Sequence, residues 1–385
     1  MSLSNGSALS SLPLSIESSE AEPCPGKPTL ASLSLTGQVA RGSLWSVGGQ
    51  GVTLLVSLAA TPLVIRLLGT EAYGVLALIN LMVGYLAFSD LGMGTTSTRF
   101  SAEAHARDDK EGEAAVIWMS LLISAVPTLF AAMTLIVMAR PLLTQALNVP
   151  AHLQPAAVLA LRLAALGFTA RVAASIINTP QIVRLKMRLN SVITTASSVA
   201  QISLTPVVLL MGGGLVGVAA VISGVGMATV FSHALVSLRL LPQMLHPRFD
   251  PRLMGRMAKF GGAIVISTLT GILLLNGEKI LLTRFSSVNA LAYYTVAFSL
   301  VSLLTIPANS LVQSLLPTFA RLQAGGKEKE LQQLYDDMLR SILLVTPVVA
   351  LLICLGAKKF FIFWAGPDYG VVSPGPFYIL MVGLF

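Results

Sequence analysis

From Leu44 onward the chain is a succession of apolar runs, each about twenty residues long. They fall near 44–67, 72–90, 115–138, 155–178, 190–211, 214–238, 260–283, 289–314, 339–357 and 373–385. A helix of about 20 residues crosses the hydrocarbon core of a bilayer at 1.5 Å per residue. Hydrocarbon offers the backbone no hydrogen bonds, so only helices and closed barrels can span it. A barrel would need alternating strands of about ten residues, and that pattern is absent. The expected fold is therefore an all-α polytopic membrane protein. Composition agrees: 54% of residues are hydrophobic and 11% charged, against about 25% charged in a soluble domain. Of the two cysteines, Cys24 lies in a polar segment and Cys354 in an apolar run, which gives no disulfide framework.

The net charge of +8 has to be read by location, and on a membrane protein it reports orientation, not nucleic-acid binding. Eighteen of the 25 Lys and Arg fall in alternate connections on one side, in the groups Lys27–Arg41, Arg99–Lys110, Arg171–Arg188, Arg239–Lys259 and Arg321–Arg340. The other side receives five: Arg66, Arg140, Arg284, Lys358 and Lys359. The positive-inside rule then puts the N-terminus in the cytoplasm, with the chain in the cytoplasmic (inner) membrane and in contact with its lipids. Residues 1–40, rich in Ser and Pro with Glu17, Glu20 and Glu22, have no basic start and no apolar core of a signal peptide. They read as a disordered cytoplasmic tail.

The second half echoes the first. Arg41 and Lys259 each open a long span (259 − 41 = 218), and Arg66 and Arg284 each close one (284 − 66 = 218). The stretch NVPAHLQPAAVLALRLAALGF (148–168) resembles AGPDYGVVSPGPFYILMVGLF (365–385) at an offset of 217. The domains expected are an N-lobe of six transmembrane helices over 41–240, a cytoplasmic link over 241–258, and a C-lobe over 259–385. The C-lobe holds about four helices and is expected to be truncated at about the tenth, since a full repeat would run to about residue 458 (240 + 218). An even helix number per lobe relates the two by an axis along the membrane normal, around a central cavity.

Catalytic signatures are missing. AGGKEKE (324–330) lacks the spacing of a phosphate-cradling loop. The histidines 105, 152, 233 and 246 are too scattered to ligate a metal, so neither metal nor cofactor is expected. The external connections are short and hold only Glu71 and Asp368 as acids, which disfavours a membrane glycosyltransferase or polymerase and any other enzyme.

What remains is polar groups inside spans. In ILLLNGEKILLTRF (272–285) the adjacent Glu278 and Lys279 interrupt an apolar run. A charge at a helix centre costs roughly 2.5–3.5 kcal/mol on insertion scales, less where it faces a water-filled cavity. Counting from the outer helix ends, Glu278 and Lys279 lie roughly 8 Å deep and Arg162 roughly 10 Å. These three are candidates for a cleft between lobes, with snorkelling to the interface as the alternative for Lys279 and Arg162. Arg66 and Arg284 are interface anchors or substrate contacts. Gln50, after Gly48 and Gly49, is a packing residue or a cavity residue at a bend.

RLLGTEAYGVLALINLMVGYLAFSDLGMGTTSTRFSAE (66–103) resembles the opening of bacterial polysaccharide-biosynthesis flippases of the O-antigen type. The resemblance is carried by the leucine-glycine turn, Tyr73-Gly74, Asp90-Leu91-Gly92 and Arg99. The Glu278-Lys279 helix ending in Arg284-Phe285 and LLPTFARL (315–322) are similar too. The family belongs to a superfamily that includes multidrug extruders. The resemblance implies two six-helix bundles around a cationic cavity with alternating access. It also implies a polyprenyl-diphosphate-linked oligosaccharide as cargo, flipped for surface polysaccharide biosynthesis. Polysaccharide polymerase or glycosyltransferase machinery is the implied partner. In that reading Lys279 and Arg162 meet the diphosphate, and Glu278 positions a base or titrates. A multidrug or small-solute antiporter of the same superfamily is the alternative. Reporter fusions after residue 245 should show cytoplasmic activity, and a periplasmic signal there would reverse the orientation.

Overall fold

The computed structural model describes residues 30–147, 149–302 and 328–383. Its internal contacts divide the chain into Met1–Arg41 and Gly42–Phe385. Of the first unit, residues 30–41 are described and are helical. The expected tail over 1–40 thus lies partly outside the described residues, and its last part is the start of a helix. LLPTFARL and the end of the eighth expected span also lie outside them.

The helices are α1 (Leu30–Leu68), α2 (Thr70–Tyr85), α3 (Met93–Ala106), α4 (Lys110–Pro141), α5 (Gln154–Ile177), α6 (Thr179–Val183), α7 (Met187–Leu210) and α8 (Gly214–Leu240). They continue with α9 (Pro251–Phe285), α10 (Val288–Ser302), α11 (Glu328–Trp364), α12 (Pro367–Val372) and α13 (Pro374–Val382). Among the described residues there is no strand. Six stretches between Gly48 and Leu240 are long and apolar enough to cross a membrane. Helix α9, whose parts Pro251–Gly271 and Asn276–Phe285 are inclined by 46°, is a seventh when the two parts are counted as one span. The protein is a multi-pass, all-α membrane protein.

Local chemistry sets the breaks. Gly69 takes φ 79°, a left-handed value that a Cβ would strain, and this lets α1 turn into α2. At the basic ends, Asp109 caps α4 by accepting from Gly112 N at 2.7 Å, with Glu111 and Glu113 in the first turn. Asp250 caps α9 by accepting from Arg252 N at 2.9 Å. Carboxylates there complement unpaired N–H groups and the helix dipole. The second span runs longer than the sequence suggests. After Tyr85 it continues through a 3-10 turn, Leu86–Asp90, and a left-handed Leu91-Gly92 pair into α3. Asp90 therefore sits inside the Thr70–Ala106 span and not at its end.

Packing follows membrane rules. Apolar burial drives little association in lipid, so close approach and polar pairing matter more. Helix α5 offers a seam of buried Ala157, Ala160, Ala164 and Ala165 to its neighbours α4 and α8. Hydroxyls and amides join other helices: Ser97 of α3 with Thr179 of α6 at 2.9 Å, and Gln181 Nε2 of α6 to Ser237 Oγ of α8 at 3.1 Å. Large apolar side chains such as Phe130, Phe231 and Leu274 point outward, as lipid-facing positions require. Near its capped end, fully buried Glu113 of α4 receives both nitrogens of the Arg184 fork, at 2.5 and 2.9 Å, with His105 Nδ1 at 3.7 Å. Two halves of the chain meet where α2 lies on α10. A Cβ on Gly74 would collide with the Val288 carbonyl oxygen, so only glycine permits this approach.

Helix boundaries recur at the offset read from the sequence. Helix α9 ends 217 residues after α1 (285 − 68), and α10 starts 218 after α2 (288 − 70).

Removing one partner of a buried ion pair strands the other. Glu113→Ala should therefore lower unfolding stability in detergent by about 3–5 kcal/mol, and Glu113→Leu with Arg184→Met should recover much of it. Gly74→Val should force α2 from α10 and abolish function, measured beside Gly84→Ala, whose added Cβ meets nothing within 4 Å. Equal activity of the two variants would mean that the α2–α10 approach is dispensable.

Candidate functional site

Glu278 and Lys279 lie on α9 seven and six residues before its end. Residues three and four apart share a helix face, whereas neighbours diverge. Asn276, Lys279 and Thr283 accordingly form one face, and Ile280 and Arg284 another. Lys279 turns inward and is only 8% exposed. Its Nζ donates to Asn276 Oδ1 at 2.6 Å and stands 3.8 Å from the centre of the Phe298 ring. Glu278 Oε1 is 3.9 Å away, and it also accepts from the Tyr294 hydroxyl at 3.1 Å. An amide oxygen, an aromatic face and a carboxylate together offset the cost of an ammonium group away from bulk water. This is how the chain tolerates adjacent charges in a span: each is turned to different partners, and α10 supplies one for each.

These groups border a cavity of about 280 Å³ between α2, α9 and α10. Its lining includes Tyr73, Asn80, Asn276, Lys279, Thr295, Phe298 and Ser299. Among the described residues of the lining Lys279 is the one that carries a charge, and its companions are amides, hydroxyls, aromatic rings and the aliphatic Leu76, Ala77, Leu81 and Leu291. Such a chamber suits an anion with neutral polar substituents.

The other residues expected from the sequence lie elsewhere. Arg162 is exposed on α5, where its Nε donates to the Ile136 carbonyl of α4 at 3.2 Å. It is not brought to Lys279. Arg66 Nη2 donates to the Phe363 carbonyl at 3.0 Å and ties α1 to α11, beside Trp364 Nε1 bonded to the Leu58 carbonyl at 2.8 Å. Gln50 lines a separate groove of about 450 Å³ with Thr53, Ser57, Ser191, Thr194 and Ser198, between α1 and α7. Arg284 borders a larger, mostly apolar hollow of about 830 Å³ between α2, α4 and α9.

Sequence reasoning noted Asn80 only as an uncharged polar group within a span and missed the α10 contribution of Tyr294, Thr295, Phe298 and Ser299. A signal was present, since Thr295, Phe298 and Ser299 recur at helical spacing and put two hydroxyls on one face. Among the described residues no cluster of His, Cys, Asp or Glu could hold a metal ion.

Among curated protein sequences none matches this chain. Solved structures do. An inward-facing multidrug resistance MATE family transporter of the MOP superfamily aligns at 16% identity and TM-score 0.69, over 85% of this chain and 76% of that one. An outward-facing conformation of such a transporter aligns at 17% identity and TM-score 0.60, over 89% and 77%. A MOP superfamily transporter from Pyrococcus furiosus, described as having a binding pocket of reversed polarity, aligns at 18% identity and TM-score 0.60, over 89% and 77%. These likenesses establish the fold. The sequence pattern of the polysaccharide biosynthesis protein family matches residues 39–323, most of the chain. This membrane protein, with its lysine-centred cavity on a MOP-type fold, therefore belongs to the polysaccharide biosynthesis protein family.

Proposed function

We propose that this protein is a transporter that flips a polyprenyl-diphosphate-linked oligosaccharide across the cytoplasmic membrane by alternating access. The observation that carries the reading is Lys279, a buried ammonium at the wall of a polar cavity inside a membrane-spanning bundle. A diphosphate is the anion expected of a lipid carrier for polysaccharide precursors, and a shielded ammonium–phosphate pair is a strong charge-assisted contact. Asn80, Asn276, Thr295 and Ser299 give neutral hydrogen bonds of the kind that sugar hydroxyls accept and donate. Membership in a polysaccharide biosynthesis family supports the cargo, and the MOP-type fold supports transport over catalysis. Recurrence of helix boundaries at 217–218 residues supports two lobes that rock about the site.

The multidrug likeness favours a second reading, antiport of small solutes, in which Glu278 with its Tyr294 hydrogen bond carries a coupling proton.

Transport of a labelled polyprenyl-diphosphate oligosaccharide in proteoliposomes separates the two. Lys279→Ala should lower it about tenfold or more, the worth of a hydrogen bond to a charged group, with expression retained. Lys279→Arg should keep more activity than Lys279→Ala. Glu278→Gln should give a partial loss with an unchanged pH profile. Full transport by Lys279→Ala would remove the binding role. Loss of pH dependence in Glu278→Gln, with dye transport in place of glycan transport, would establish the antiporter.

A further inference from the structure

The cavity beside Lys279 is small for an oligosaccharide. At about 280 Å³ it falls below the roughly 300–1,000 Å³ of most small-ligand pockets. The groove of about 450 Å³ between α1 and α7 shares no lining residue with it. Its walls belong to two membrane-spanning stretches, Gly48–Leu68 and Met187–Leu210, the two least buried of the six. They come close at one point, where a Cβ on Gly49 would collide with the Thr195 hydroxyl.

Hydroxyls distinguish this groove. Within a helix a Ser or Thr hydroxyl commonly bonds the carbonyl one turn back, as Thr53 does to Gly49 and Thr194 to Asn190, both at 3.0 Å. Among the described residues the hydroxyls of Ser57, Ser191, Thr195 and Ser198 have no hydrogen-bond partner. Ser191 is only 7% exposed, yet it lines the groove. A hydroxyl withdrawn from water and left unpaired costs free energy. Among the described lining residues none carries a charge, and Leu54, Ile202 and the carbon of the threonines put apolar surface between the hydroxyls. One turn before Gly49, on the same face of α1, Trp45 is 42% exposed, with the Arg188 guanidinium of α7 4.9 Å from its ring centre. The basic-residue asymmetry assigns this end of the groove to the cytoplasm.

Given the transport reading above, on which this rests, we propose that the α1–α7 groove is a site for neutral sugar units, separate from the Lys279 cavity. A sugar ring carries hydroxyls on its rim and C–H groups on its faces. Serine and threonine hydroxyls both donate and accept, so they pair with a sugar hydroxyl in either sense. The intervening carbon and the flat face of Trp45 meet the C–H surface. With no cation in its lining the groove does not hold a phosphate. A lipid chain there would leave the free hydroxyls unpaired. From Ser191 to Ile202 the wall of α7 runs eleven residues, roughly 17 Å, length enough for a short run of linked rings.

The test uses the whole chain in phosphatidylethanolamine–phosphatidylglycerol vesicles and two probes. One is a polyprenyl diphosphate carrying a neutral disaccharide with a photoreactive diazirine on its distal sugar. The other is the same lipid diphosphate without sugar. Crosslinks from the first, mapped by mass spectrometry, should saturate and fall on α1 and α7 between Trp45 and Ser57 and between Ser191 and Ile202. The triple variant Ser57→Ala, Ser191→Ala, Ser198→Ala removes three hydroxyls that have no partner in the protein, so thermal unfolding should stay unchanged. It should weaken binding of the sugar-bearing lipid about tenfold and leave the bare diphosphate unaffected, whereas Lys279→Ala should weaken both. Unchanged binding of the sugar-bearing lipid by the triple variant would overturn the proposal. An equal loss for both lipids would make the serines structural and overturn it as well. Saturable labelling at α10 with none on α1 or α7 would overturn it while leaving the transport reading standing. No saturable binding of the sugar-bearing lipid at all would remove both.

Discussion

Hydrocarbon cannot solvate a charge or a backbone polar group, and the arrangement of this protein follows from that one constraint. It forces every spanning segment into a helix. It also forces each charge within a span to find partners on neighbouring helices. Lys279 does so with Asn276 of its own helix and the Phe298 ring of α10, and Glu278 does so with Tyr294. The position of α10 against α9 is therefore bound up with keeping these two charges satisfied. Gly74, where α2 meets Val288 of α10, completes the enclosure by removing a side chain that would hold the helices apart.

The same constraint accounts for the polar pairs of the first half. Gln181 bonds Ser237 and the His233 carbonyl, Ser97 meets Thr179, and Thr128 donates to the Ser89 carbonyl. In water such bonds would compete with solvent and contribute little, whereas here they fix helix register where apolar contact is not selective. The buried Glu113–Arg184 pair is costlier to desolvate. Its stabilising effect is mostly conditional: the pair is tolerable together and damaging when separated. It joins the first turn of α4 to the end of α6 and so fixes one end of the bundle.

Helices α2 and α9 each carry two chemistries on faces a fraction of a turn apart. One face of α9 shows Asn276, Lys279 and Thr283, and the next shows Ile280 and Arg284. The cavities on the two sides differ accordingly: the smaller has Lys279, amides and hydroxyls among its lining, and the larger is almost wholly apolar.

The sequence alone determined the class of the fold, because twenty-residue apolar runs leave the backbone no other way to be satisfied. It raised the expectation of a repeat, since charges at span ends recur at an offset of about 218. It also singled out Glu278 and Lys279, because two charges in an apolar run are conspicuous wherever the helix sits. What it could not determine was partnership. Arg162 and Lys279 have similar depth, but depth along a helix says nothing of which way the helix is rotated, and Arg162 turns to the Ile136 carbonyl. Asn80, Tyr294 and Phe298 are unremarkable in their own segments and become a site only when α2 and α10 are brought beside α9. The second span outran its expected end for a related reason: the Leu91-Gly92 turn looks like a stop, and packing of α3 on α4 and α9 carries the chain past it. Rotation and proximity are set by helix-to-helix packing, a property of pairs of segments that no single segment contains.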